Sequence, residues 1–272
     1  MHRLRYVRDP DKHSAFDMSK LNSTVKSLRA IYLTEPEIAR ALIPQPLVAA
    51  DEPEVFVQYG LTTMHRDELD DVCINAVTVA VKCSYKDTQG FYVIAMPMEG
   101  EFVVITGREM FGEPKKIATS VGMDIVDGRI TTRMGRHGID FLEMRGKLGK
   151  SLPPRKFTEH MFCYKALPAI DGSRGFDGEV LLTRLNWERN YTRITQIDTP
   201  EIILRESPFD PLVDVPVKKI VSMELCEGTI KTSGDVLEIV PGHWIENHIG
   251  QRFDNAEDLG IDLQLASQGI AK

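Results

Sequence analysis

The chain lacks any run of about 18 apolar residues, the least that crosses a bilayer as a helix, so no membrane span is expected. Its first residues, MHRLRYVRDPDKHSAFDMSK, carry no apolar segment of the kind a secretory leader needs, and a cytoplasmic protein is the expectation. Positive charge is not in excess: 33 Lys and Arg stand against 40 Asp and Glu, for a net charge of −7. Nucleic-acid binders normally present a basic face, so that class is disfavoured. Cysteine is scarce. Cys73, Cys83, Cys163 and Cys226 form no C-x-x-C pair, which argues against a zinc site or a disulfide framework and for free buried thiols. His243 and His248, five apart, share neither a helix face nor a strand face and read as surface residues. No nucleotide loop, metal motif or redox motif is visible, so no cofactor is expected.

What is present is apolar content of 42%, enough for a sizeable core in 272 residues. Residues 1–22 read as a polar arm, 23–249 as one domain and 250–272 as a polar tail. Thr34-Glu-Pro-Glu37 reads as a capping box opening a short helix over Ile38–Ile43, which Pro44 and Pro46 stop. Most of the remainder reads as strand. Val77, Val79, Val81, Cys83 and Tyr85 alternate with Thr78, Ala80, Lys82 and Ser84, the period of a half-buried strand. Asp127-Gly128 stands between two strand patterns as a hairpin turn. Further strands are predicted near 138–146, 160–167, 178–187, 191–197, 200–205, 217–231 and 235–240. Strands so numerous predict a mainly β protein, its antiparallel sheets closed into a cone-like barrel with a few helices.

The stretch Gly107–Ala118, GREMFGEPKKIA, sets Lys115 and Lys116 directly after Pro114. A free lysine amine has a pKa of about 10.4, so only about one in 2500 is neutral and nucleophilic at pH 7. Lysine chemistry therefore begins with burial or a neighbouring cation, either of which favours the neutral form. The apolar runs Phe91–Met96 and Phe102–Ile105 are the predicted pocket walls. Alone, a lysine pair is more often a solvated face, as Lys218-Lys219 is expected to be.

In its context the stretch resembles the signature of the acetoacetate decarboxylases, which runs approximately G-R-E-[LM]-x-x-[FY]-P-K-K-[LI]. Gly107, Arg108, Glu109, Met110, Pro114, Lys115, Lys116 and Ile117 stand in register with it. The segments Glu37–Leu47 and Asp214–Ser222 are similar to an early and a late family segment. The resemblance implies the same cone-like fold, a homo-oligomer, and decarboxylation of a β-keto acid, acetoacetate or a larger analogue. It implies Lys115 as the Schiff-base residue and Lys116 as the cation that tunes it. This family is also the standing example of an amine activated in that way. Arg108 and Glu109 are expected to form an ion pair that, with Pro114, supports the lysine segment. Arg29, Tyr92 and Met96 are candidate pocket residues.

The chain also departs from the pattern. Glu113 replaces an aromatic residue and becomes a candidate proton carrier. The family's arginine aligns at Val25, near Lys26 and Arg29, and the region of its pocket glutamate holds Asn75 and Ala76. Two alternatives stay open: a Schiff-base aldolase or dehydratase acting on pyruvate-like or aldehyde substrates, and a non-catalytic small-molecule binder.

Overall fold

The computed structural model describes residues 22–66 and 69–254. The arm expected before Asn22 and the tail beyond Asp254 lie outside those residues. Chain order gives β1 (Asn22–Leu33), α1 (Pro36–Leu42), β2 (Val48–Ala49), β3 (Glu54–Arg66), β4 (Leu69–Tyr85), β5 (Thr88–Met98) and α2 (Glu101–Phe111). There follow β6 (Lys115–Ile117), β7 (Ser120–Val126), β8 (Arg129–Arg136), β9 (Ile139–Leu152), β10 (Arg155–Pro168), β11 (Phe176–Leu204) and β12 (Lys219–Val240).

The sheet closes on itself. Its order runs β10-β5-β4-β3-β1-β12-β11, and β10 pairs with β11 as well as with β5. Closure leaves the ring no unpaired edge. The long strand β11 makes this possible: its first half pairs with β10 and its second half with β9. From there β9, β8 and β7 continue as a meander. The turn between β7 and β8 is Asp127-Gly128, both at positive φ (49° and 71°), as the sequence predicts.

Alternation sorts the two faces of the ring. Val77, Val79, Val81 and Cys83 of β4 join the larger core, with Leu28, Val57, Tyr59, Tyr92 and Ile94, on the face covered by α1 and the meander. The opposite face supplies Phe56, Ala80, Val93, Met96, Met161, Cys163, Leu185 and Trp187. These come from β3, β4, β5, β10 and β11, strands from around the ring, so they fill its interior. A bulge in β5 matters here. Val93 pairs with Ala80 and Ala95 with Val79, which leaves Ile94 as an extra residue. The bulge reverses the parity, so Val93 and Met96 both face inward.

Several expectations need correction. Phe102–Ile105, predicted as a pocket wall, is part of a helix, with Phe102 69% exposed and Ile105 45%. The segment from 178 to 204 is one strand, and so is the segment from 219 to 240, because bulges rather than turns interrupt their register. The first helix is capped by Glu35 without a side-chain bond, and Pro36 opens it. Cys73 is exposed, while the other three cysteines are free and buried. The domain also extends past residue 249, since Arg252 is buried within it. Among the described residues no helix is long and apolar enough to cross a membrane.

Candidate active site

The lysine segment is placed by a helix end. Helix α2 stops at Gly112, whose φ of 75° is left-handed. The amide of Gly112 donates to Arg108 O (3.1 Å) and that of Glu113 to Gly107 O (3.3 Å), a pair of bonds that closes the helix. A Cβ at Gly112 would stand 2.5 Å from Tyr164 O, so only glycine fits. The chain then passes through buried Pro114 into β6, which lies parallel to β5 with Lys115 beside Met96 and Lys116 beside Pro97.

Neighbouring residues of a strand face opposite ways, and here that separates the two lysines. Lys115 points into the ring. Its Nζ lies 2.7 Å from Glu113 Oε2 and donates to Val103 O at 3.4 Å. Glu113 is 3% exposed, and its contact is an ion pair rather than an in-line hydrogen bond. The room for both groups comes from Gly107. A Cβ there would fall 2.3 Å from Lys115 Nζ and 2.3 Å from Glu113 Oε2. The glycine of the motif is thus a bare patch of helix against which the acid and the amine pack.

Lys115 and Glu113 sit in a cavity of about 170 Å³. Its apolar wall includes Ile74, Met96, Met98, Phe111, Trp187 and Ile230; its polar wall includes Ser23, Gln58, Thr62 and Thr78. Among the described residues, the only charged ones lining it are Lys115 and Glu113. That volume is below the roughly 300–1,000 Å³ of drug-sized sites and suits a metabolite. Phe102–Ile105 does not line it; of the predicted walls, Met96 does.

Lys116 occupies the other face and is matched by carboxylates. Its Nζ donates to Phe209 O (2.7 Å) and lies 3.2 Å from Asp210 Oδ1 and 3.2 Å from Asp254 Oδ1. Arg136 also bridges Asp210 and Asp254, and His137 meets Asp254 at 3.0 Å. Burial would raise the Asp254 carboxyl, but Arg136, His137 and Lys116 together hold it well below the usual carboxylate range. Lys116 is therefore not the cation expected beside Lys115; it anchors the far side of β6.

Arg108 reaches the lysine segment through backbone carbonyls, without Glu109. Its Nη1 donates to Lys115 O (2.9 Å) and to Arg252 O (2.8 Å), while Glu109 is exposed and forms no ion pair among the described residues. Burial lowers the Arg108 pKa from its ordinary value. Arg252 in turn donates through Nη2 to Gly112 O. Sequence reasoning missed Arg252, Asp210 and Asp254, because a charge in a polar stretch gives no sign of burial.

The remaining candidates divide. Tyr92 lies on the outer face, where its hydroxyl accepts a bond from Gln251 Nε2 (2.9 Å) and burial pushes the phenol up. It does not line the cavity. Arg29 is inside the ring but not in the cavity wall. Its Nη2 meets Glu159 Oε1 at 2.6 Å, and Arg189 meets Glu159 Oε2 at 2.8 Å. Burial would raise the Glu159 carboxyl, yet the two guanidiniums keep it low. Arg189 lies 4.8 Å over the ring of Trp187, which lines the cavity. Where the family's glutamate was sought, Ala76 lines the cavity and Asn75 donates to Glu99 Oε2 at 2.7 Å.

Comparison with known proteins fits this arrangement. The family model described as acetoacetate decarboxylase matches residues 6–239. The acetoacetate decarboxylase of Ralstonia nicotianae is 26% identical over 195 residues, covering 70% of this chain and 76% of its own. That of Clostridium acetobutylicum is 26% identical over 201 residues, covering 71% and 78%. Among solved structures, acetoacetate decarboxylase from Legionella pneumophila superposes with a TM-score of 0.66 at 18% identity, covering 80% of this chain and 88% of that one. The enduracididine biosynthesis enzyme MppR complexed with pyruvate superposes at 0.68 and 12% identity, covering 80% and 90%. With its lysine motif turned inward at the end of α2, the chain belongs to the acetoacetate decarboxylase family.

Proposed function

We propose that this protein decarboxylates a β-keto acid through a Schiff base on Lys115. One observation carries the reading: of the two lysines, Lys115 alone faces the ring interior, in a mostly apolar cavity, with Glu113 2.7 Å from its Nζ. Glu113 takes a proton from the amine, and the neutral Nζ attacks the substrate ketone. Loss of water leaves a protonated imine. The C–C bond to the carboxylate then breaks, CO2 departs, and the electron pair moves onto the imine nitrogen to give an enamine. Protonation at carbon and hydrolysis release the ketone and restore the amine.

The charge balance supports an acidic substrate. Among the described residues nearest the cavity, Glu113 is met by Lys115, while Glu159 is met by both Arg29 and Arg189. A keto acid's carboxylate supplies the missing negative charge. Because Arg189 stands behind Trp187 and Arg29 is engaged with Glu159, they attract the carboxylate without clamping it, and it can leave as CO2.

A second reading draws on Glu113. A carboxylate beside the imine suits proton abstraction in aldol or dehydration chemistry, and the structural likeness to an enzyme complexed with pyruvate supports it. Incubation with acetoacetate, and separately with pyruvate, decides between them. CO2 released from acetoacetate supports the first reading. Pyruvate condensation products formed without CO2 support the second.

A further inference from the structure

Gln58 is a polar group in this cavity that the imine chemistry does not use. It is 7% exposed, and its Oε1 has no hydrogen-bond partner among the described residues. Buried amides are nearly always bonded, and an unpaired one is a standing cost that a ligand can remove. Two residues on, on the same face of β3, stands Gly60, and two beyond that is Thr62. All three line the cavity that holds Lys115. A Cβ at Gly60 would lie 3.4 Å from Gln58 Nε2, 3.9 Å from Thr62 Oγ1 and 3.9 Å from Ala76 O. An amide, a hydroxyl and a carbonyl therefore converge on a space that any other residue would fill with its own side chain.

Among the described residues this notch is neutral, since Lys115 and Glu113 are the only charged ones lining the cavity and are already paired. A carboxylate has no cation to meet there. A hydroxyl fits, because it accepts from Gln58 Nε2, the amide atom nearest the notch, and still has a proton to donate to an oxygen such as the amide's own unpaired Oε1. We infer that Gln58 and Gly60 form a subsite for a neutral hydroxyl, and that the substrate is a hydroxyl-bearing β-keto acid longer than acetoacetate. The inference rests on Lys115 being the carbonyl-binding group. Discrimination follows from the cost of leaving the amide unpaired when the hydroxyl is absent.

The test uses two ketones of equal size, hydroxyethyl methyl ketone and methyl propyl ketone, with calorimetric binding to the full-length protein. Wild type is expected to bind the hydroxylated ketone about tenfold more tightly or better. Gln58→Met, which keeps the length and removes the amide, is expected to bring the ratio near one. Gly60→Ala tests the same notch independently: its methyl occupies the space while meeting its neighbours at ordinary contact distance. Equal binding by wild type, or a ratio that survives in both variants, overturns the subsite. Assaying CO2 release from acetoacetate and from 5-hydroxy-3-oxopentanoate, the acid that would yield the hydroxylated ketone, separates the two claims, the absence of CO2 meaning none from either acid. A retained ratio without CO2 sinks the decarboxylase reading and leaves the subsite. CO2 without any ratio sinks the subsite alone.

Discussion

Lys115 and Lys116 are one bond apart in sequence and chemically identical, yet strand geometry gives them different work. Lys115 reaches the cavity and Lys116 is held by two carboxylates on the other face. Lys115→Ala is expected to reduce turnover at least about a thousandfold and to abolish borohydride trapping. Lys116→Ala leaves Asp210 and Asp254 facing Arg136 with one cation fewer. It is expected to cost roughly 3 kcal/mol in urea denaturation, while carbonyl trapping stays on Lys115. Gly107 sharpens the test. Helix propensity alone favours alanine there by about 1 kcal/mol, but its Cβ would stand 2.3 Å from the Lys115 amine. Gly107→Ala should therefore keep the β signature in circular dichroism and lower turnover about a hundredfold. Unchanged turnover would show that the amine does not need this patch of bare helix.

At the level of elements, three local devices aim Lys115: the left-handed end of α2 at Gly112, the parallel pairing of β6 with β5, and the bulge at Ile94. Arg108 and Arg252 then fasten the turn through backbone carbonyls. Arg252→Ala is expected to raise KM and lower kcat together by about tenfold, because β6 loses one of its two clamps; pre-steady-state kinetics would separate the contributions. Some of this was legible beforehand. The alternation of Val77–Tyr85, the Asp127-Gly128 hairpin and the short helix before Pro44 follow from side-chain period and turn chemistry. Helix α2 was not legible over Phe102–Ile105, since a four-residue apolar run fits a buried strand equally well. The bulge left no trace in the pattern, so which face of β5 met the cavity could not be read. The pairing of Lys116 likewise depended on a partner more than 90 residues away, Asp210.

Across the whole molecule, a closed ring encloses a small interior that holds Lys115, while a buried ion network ties the last described residues to the outside of β6. That network carries a pH signature. Asp254 is held well below its ordinary range, so the stability it contributes is full above about pH 4 and is lost as pH falls below that value. Asp254→Asn is expected to be about 1–2 kcal/mol less stable than wild type near pH 6, with the gap narrowing below pH 4 in urea titrations. A gap constant across that window would mean that the carboxylate's charge is not what binds this segment. The ring itself was foreseeable from the number of strands, but the long-range pairing of β10 with β5 and the site's assembly from both ends of the chain were not. The central claim remains that Lys115 forms an imine, and mass spectrometry after borohydride treatment with acetoacetate tests it most directly. The account predicts a single adduct, on Lys115 and not Lys116, with CO2 released before trapping; an unmodified Lys115, or an adduct on another lysine, would contradict it.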